Sequence, residues 1–179
     1  MTFPRVLKTA AALALLCAAQ AQAALQVGDA APAFTTPAAV AGKPFTFDLA
    51  ATLKKGPVVL YFFPKAFTQG CTLEAHAFAE ATPQFAAMKA TVVGMSHDDI
   101  DTLKRFSTEA CRDQFAVASD PKAVTIKAYD AGAAANPARA DRISYVVGQD
   151  GKVKFALVSS DPLAHVEQTK AAVRQLQGK

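Results

Sequence analysis

Cys71 stands where a thiol is readily made reactive. It follows residues 58–63, a β-branched and aromatic run of the kind that forms a strand buried on both faces. It also falls in the opening turn of a helix-patterned segment. Free backbone N–H groups and the positive end of the helix dipole favour the thiolate there, and the thiolate is both the nucleophilic and the oxidisable form. The turn between strand and helix reads Pro64-Lys-Ala-Phe-Thr68-Gln-Gly70. Thr68 can point its hydroxyl at the same spot, and Pro64, which has no N–H, can shield a thiolate from water. A small buried apolar residue would suit the position equally, and position alone does not separate the two readings.

The other reactive side chains are more scattered. Cys17 and Cys111 are the remaining thiols, and His76, His97 and His165 stand without a paired metal-ligand spacing. No metal site is expected from them; a solvated or core role is the simpler reading. Lys54-Lys55 is most simply a solvated turn.

The elements that must position Cys71 belong to a chain of 179 residues, a length suited to one domain. With 51% hydrophobic and 19% charged residues, the composition excludes a disordered chain. The formal charge of +4 comes without a basic run, so nucleic acid is not an expected partner. No apolar stretch reaches the ~18 to 20 residues of a membrane-spanning helix, and no membrane association is expected.

Residues 1–23 read as a secretory signal peptide. Arg5 and Lys8 give a positive start, an Ala/Leu run follows, and Gln20-Ala21-Gln22-Ala23 ends in a small-x-small site. Cleavage after Ala23 would remove Cys17 and lower the formal charge by two. Cys17 is a poor lipidation site because Leu16, not a small residue, precedes it. The expected product is a secreted, periplasmic domain over residues 24–179, with Cys71 and Cys111 in a compartment that permits disulfides.

Strand and helix signals alternate along that domain. Strands are expected at 45–47, 58–63, 91–96 and 115–119, and two more, 143–147 and 153–158, flank an Asp150-Gly151 hairpin turn. Phe78, Ala81, Phe85 and Met88 mark one helix face, with Pro83 expected to kink or split it. Ile100, Leu103 and Phe106 mark a second, with Asp98 or Asp99 as its cap. A short helix is expected at 123–129 and a final one through Leu163, Val166, Val173 and Leu176. Gly28, Pro32 and Pro37 make the start irregular, and 131–140 reads as a loop. The pattern argues an α/β fold with a central mixed sheet covered by helices.

Pro64-x-x-x-Thr68-x-x-Cys71 resembles the active-site pattern of the peroxiredoxins, thiol peroxidases on a thioredoxin-like fold within the AhpC/TSA-like family. The longer segment Tyr61-Phe-Phe-Pro-Lys-Ala-Phe-Thr-Gln-Gly-Cys-Thr-Leu-Glu-Ala75 is similar to the bacterioferritin-comigratory, or Q-type, branch. Val93-Gly-Met-Ser96-His-Asp98, Ala118-Ser-Asp120 and the segment from Arg142 to Gly151 resemble later parts of the same family in the right order. The resemblance implies Cys71 as the peroxidatic nucleophile, with no cofactor. It implies that Thr68 hydrogen-bonds thiolate and peroxide, that Pro64 closes the pocket, and that Arg142 stabilises the charge. Glu74 would orient Arg142; its simpler reading is an acid favoured by the helix dipole. Arg139 is a rival to Arg142, but only Arg142 sits at the expected strand start.

Many Q-type members carry a partner cysteine five residues after the first, where this chain has His76. The resemblance leaves Cys111 as the resolving cysteine, against a simpler reading as a buried structural thiol. The implied partners are a peroxide substrate and a thioredoxin-like dithiol reductant, with the chain a monomer or weak dimer. Two alternatives are a thiol–disulfide oxidoreductase, which usually needs Cys-x-x-Cys, and a copper-handling protein of thioredoxin fold, which needs two close cysteines and a histidine.

Overall fold

The computed structural model describes residues 24–178. The expected signal peptide, with Cys17, lies outside the described residues. The chain order is β1 (Thr35–Val40), β2 (Lys43–Asp48), α1 (Leu49–Leu53), β3 (Val58–Phe62), α2 (Gln69–Ala87), β4 (Thr91–Ser96) and α3 (Ile100–Glu109). It continues with β5 (Ala116–Ser119), α4 (Val124–Ala128), β6 (Gly132–Ala133), β7 (Asn136–Ala140), β8 (Ile143–Val147), β9 (Val153–Val158) and α5 (Pro162–Gln177). Seven strands form one sheet in the order β2-β1-β5-β4-β3-β8-β9. The β3–β4 and β4–β5 pairs are parallel, whereas β8, β9, β1 and β2 join antiparallel. This is the mixed α/β, thioredoxin-like fold.

β3 explains why its sequence reads as an unbroken apolar run. Val58, Leu60 and Phe62 face a core closed by Leu49 and Leu53 of α1 and Ile126 of α4. Val59, Tyr61 and Phe63 face the other core, filled by Phe78 and Phe85 of α2, Leu103 and Phe106 of α3, and Val166 and Val173 of α5. Alternate side chains therefore serve opposite layers, as the two-residue period of a strand requires. Tyr61 stacks on Phe78 at 4.5 Å between ring centres. It fits because Gly94, its partner in β4, has no side chain: a Cβ there would lie 2.7 Å from the phenol ring.

Three local expectations change, and one element, α1, is added to those expected. The irregular start contains β1, which passes through Pro37 and pairs with β5 only at Ala38 and Ala39, so the missing proline N–H breaks no β5 bond. The short α1 has too few residues for a periodic signal; Asp48 starts it by accepting from Ala51 N at 2.9 Å. The expected loop 131–140 holds the two-stranded pair β6–β7. Its close approach depends on backbone rather than apolar pattern, since a Cβ on Gly132 would lie 2.6 Å from the Pro137 carbonyl oxygen. Finally, α2 runs through Pro83 without being split.

The hairpin turn forms as read. Gly148 N donates to the Lys152 carbonyl at 2.9 Å, and Gly151 has φ 71°, a conformation open to glycine. No helix of the described residues is long and apolar enough to cross a membrane.

Candidate active site

β3 ends at Phe62, and the chain turns through 64–68 into α2. Thr68 is the N-cap residue, with extended backbone, and its side chain makes no capping bond. The first-turn amides of α2 therefore keep their positive ends uncovered by that side chain. Cys71, the third helical residue, is 2% exposed.

Arg142 reaches it from the start of β8. Its Nη2 donates to Cys71 Sγ at 3.5 Å, and its Nη1 donates to Glu74 Oε2. Glu74 lies one turn further along α2 and is fully buried, while Arg142 keeps a small exposed edge, so the pair is largely shielded from water. Burial pushes the Glu74 carboxyl up to about 8, with Arg142 pulling it back. Burial also works against the guanidinium charge, but Glu74 and Cys71 outweigh it and hold Arg142 ionised. Glu74 Oε1 has no hydrogen-bond partner. Gly70 leaves room for this arrangement, since a Cβ on it would lie 3.1 Å from Arg142 Nη2.

The other expected site residues lie around the same turn. The Thr68 hydroxyl donates to the Lys65 carbonyl at 3.0 Å, which closes the loop on itself. Pro64 is half-buried, and its carbonyl accepts from Arg139 Nε at 3.3 Å. Thus Arg142 contacts the sulfur, while Arg139 braces the loop from β7.

Cys111 follows α3 and is fully buried in the same apolar cluster as Cys71. Both thiols are free. Burial pushes the Cys111 thiol up, aided by the charge of Asp113, so it is held protonated. Arg112 and Asp113 follow with φ 50° and 62°, left-handed values unusual for side-chain-bearing residues. Arg112 Nη1 also pairs with Glu80 Oε1 of α2 at 3.0 Å.

Of the histidines, His165 is a core residue. Its Nδ1 meets Ser144 Oγ at 2.7 Å and its Nε2 meets the Ser159 carbonyl at 3.0 Å. His76 is half-buried on α2, and His97 Nδ1 is buried without a partner. No group of three or more His, Cys, Asp or Glu is placed to hold a metal among the described residues.

Sequence reasoning missed two contacts of this site. Asp98, expected as a possible cap of α3, instead accepts from Ala66 N of the active-site turn at 2.8 Å, and Asp99 caps the helix. Arg139 was visible only as a rival to Arg142. Neither role has a local signal, because each depends on which strand ends meet.

Residues 27–156 match the sequence pattern of the AhpC/TSA family. The chain belongs to that family. A Mycobacterium tuberculosis relative, Rv1608c, whose name assigns it provisionally to the peroxiredoxins, is 30% identical over 131 residues, covering 72% of this chain and 84% of its own. Peroxiredoxin Q, chloroplastic, from Populus jackii is 32% identical over 124 residues, covering 69% of this chain and 58% of the other. Among solved structures, the peroxidoxin BcpB from Mycobacterium tuberculosis superposes with a TM-score of 0.76 at 28% identity, over 85% of this chain and 98% of that one. Family and fold are those of the peroxiredoxins.

Proposed function

We propose that Cys71 is the peroxidatic cysteine of a thiol peroxidase. The observation that carries this reading is the Arg142 guanidinium, shared between Cys71 Sγ and the buried Glu74 at the start of a helix. The Cys71 thiolate attacks one oxygen of a hydroperoxide, the O–O bond breaks, and the sulfur becomes a sulfenic acid. The departing alkoxide or hydroxide takes a proton and leaves as alcohol or water. Negative charge moves from sulfur to the leaving oxygen, and fixed donors such as Arg142 and the first-turn amides stabilise it without reorganising. Thr68 and Pro64 shape the pocket in this reading. Hydrogen peroxide or an organic hydroperoxide is the proposed substrate; the peroxiredoxin names of the relatives support a peroxide.

Cys111 is the proposed resolving cysteine. Its thiol attacks the sulfenic sulfur, a disulfide forms, and water leaves. A thioredoxin-like dithiol then reduces the disulfide. The burial of both thiols in one cluster supports the pairing, and the protonated state of Cys111 leaves Cys71 as the first nucleophile. Export through residues 1–23 to a bacterial periplasm, and a monomeric or weakly dimeric state, belong to the same proposal.

Peroxide consumption by the Cys71→Ser protein tests the first step; loss is expected, and retained turnover overturns it. Non-reducing peptide mapping after one equivalent of peroxide tests the second. A Cys71–Cys111 linkage is expected, and overoxidised Cys71 beside free Cys111 overturns the resolving role.

A further inference from the structure

The β3–β4 ladder ends with Phe62 opposite Met95, and Phe63 N extends it by one bond to the Met95 carbonyl at 3.0 Å. The active-site turn then leaves the ladder. Its Ala66 amide is held by a side chain instead, donating to Asp98 Oδ2 at 2.8 Å. Ala66 is buried in the same cluster as Cys71, so the bond fixes backbone within the reactive turn itself.

Asp98 is itself held by the neighbouring strand ends. The same Oδ2 accepts from the Ser96 hydroxyl at 2.8 Å, and Asp98 N donates back to that hydroxyl at 3.2 Å. The Asp98 carbonyl accepts from the Ser119 hydroxyl at 2.7 Å, and the Ser119 carbonyl accepts from Thr36 Oγ1 at 2.6 Å. The ends of β4 and β5 and the strand β1 thus anchor one carboxylate before it touches the turn. A carboxylate accepting an amide N–H makes a stronger bond than a neutral acceptor does.

We propose that Asp98 is a positioning residue, a latch that holds the turn 64–70 where Cys71 meets Arg142 and that must release before Cys71 can reach Cys111. This rests on the assignment of Cys71 and Cys111 above. A disulfide requires Cα atoms ~4.4 to 6.8 Å apart, and Cys71 sits packed at the head of α2 with its thiol free. The latch therefore acts with opposite sign on the two steps. While closed it keeps the thiolate against Arg142 for attack on peroxide, and it delays disulfide formation from the sulfenic acid.

The test compares full-chain wild type, Asp98→Ala and Asp98→Asn. First-step rates are read by competition with horseradish peroxidase for hydrogen peroxide. The split of Cys71 between disulfide and sulfinic acid at excess peroxide is read by mass spectrometry. Asp98→Ala is expected to slow the first step by about tenfold or more while shifting Cys71 toward disulfide. Asp98→Asn keeps an acceptor for Ala66 and is expected to restore most of both readouts. Ser96→Ala, which removes one support of the carboxylate, is expected to move both in the same directions by less, and it serves where Asp98→Ala does not fold. Val58→Ala, on the far face of the sheet, controls for general loss of stability.

Asp98→Ala oxidised at the wild-type rate overturns the latch, as does an Asp98→Asn protein as impaired as Asp98→Ala. Reproduction of the pattern by Val58→Ala also overturns it. A wild type that leaves peroxide untouched overturns the Cys71 assignment and the latch with it, so the two failures are distinguishable.

Discussion

Glu74 and Arg142 form a largely buried ion pair, linking the second turn of α2 to the start of β8 across 68 sequence positions. The two partners differ in what they do when left alone. Glu74, already pushed up to about 8, can take a proton and become neutral; Arg142 stays charged. Glu74→Ala is therefore expected to cost about 1 to 3 kcal/mol of stability by leaving the largely buried guanidinium without its carboxyl partner, and Arg142→Met less. Arg142→Met is expected to slow peroxide oxidation by roughly 10² to 10³. Urea unfolding and peroxide kinetics on both variants check the asymmetry.

Gly70 gives the guanidinium its space. A Cβ there would stand 3.1 Å from Arg142 Nη2, so the nitrogen must give by a few tenths of an ångström. Gly70→Ala is expected to change stability by less than about 1 kcal/mol. Its oxidation rate should fall by less than about 10²-fold, because the displacement is under 1 Å. An unchanged rate would show that Arg142 tolerates the shift.

His165 gives a pH dependence of definite sign. Burial holds its imidazole below the ordinary value of about 6.5, so the native protein resists a proton that the unfolded chain accepts. Its contribution is full above about pH 6.5 and is lost as pH falls below that. Urea midpoints at pH 8 and pH 5 should drop further for wild type than for His165→Gln. Parallel drops would remove His165 as the source.

Lys89 and Gly56 meet where α2 ends. Lys89 has φ 54° just past the helix, and its N donates to the Ala86 carbonyl at 2.8 Å. Lys89→Gly is expected to add about 1 kcal/mol by removing the left-handed penalty. Gly56→Ala is expected to lose about 3 kcal/mol, because a Cβ would lie 1.9 Å from the Lys89 carbonyl oxygen. Thermal melts of the two variants read opposite shifts.

Periodicity made α2 and α3 legible, because each turns a regular apolar face to a core; β3 was legible as an unbroken apolar run that serves two cores, and the β8–β9 hairpin by its Asp150-Gly151 turn. The nearness of Arg142 to Cys71 and Glu74 came from resemblance, since no local pattern joins residues so far apart in sequence. β1 and β6–β7 escaped because Pro37 and the Ala-rich segment 131–140 carry turn-like composition, while their strands are made by backbone pairing. Asp98 carries the same lesson within the site. Two adjacent acids both look like caps, and only the meeting of β4 with the active-site turn assigns them different work.

The sheet also works as a partition. Val58, Leu60 and Phe62 project away from Cys71, into a layer closed by α1 and α4 that shares no residue with the layer holding both thiols. Variation behind the sheet is thereby insulated from the chemistry. Substitutions there can drift or be engineered for robustness, whereas Val59, Tyr61 and Phe63, one step along the same strand, are bound to the reactive side.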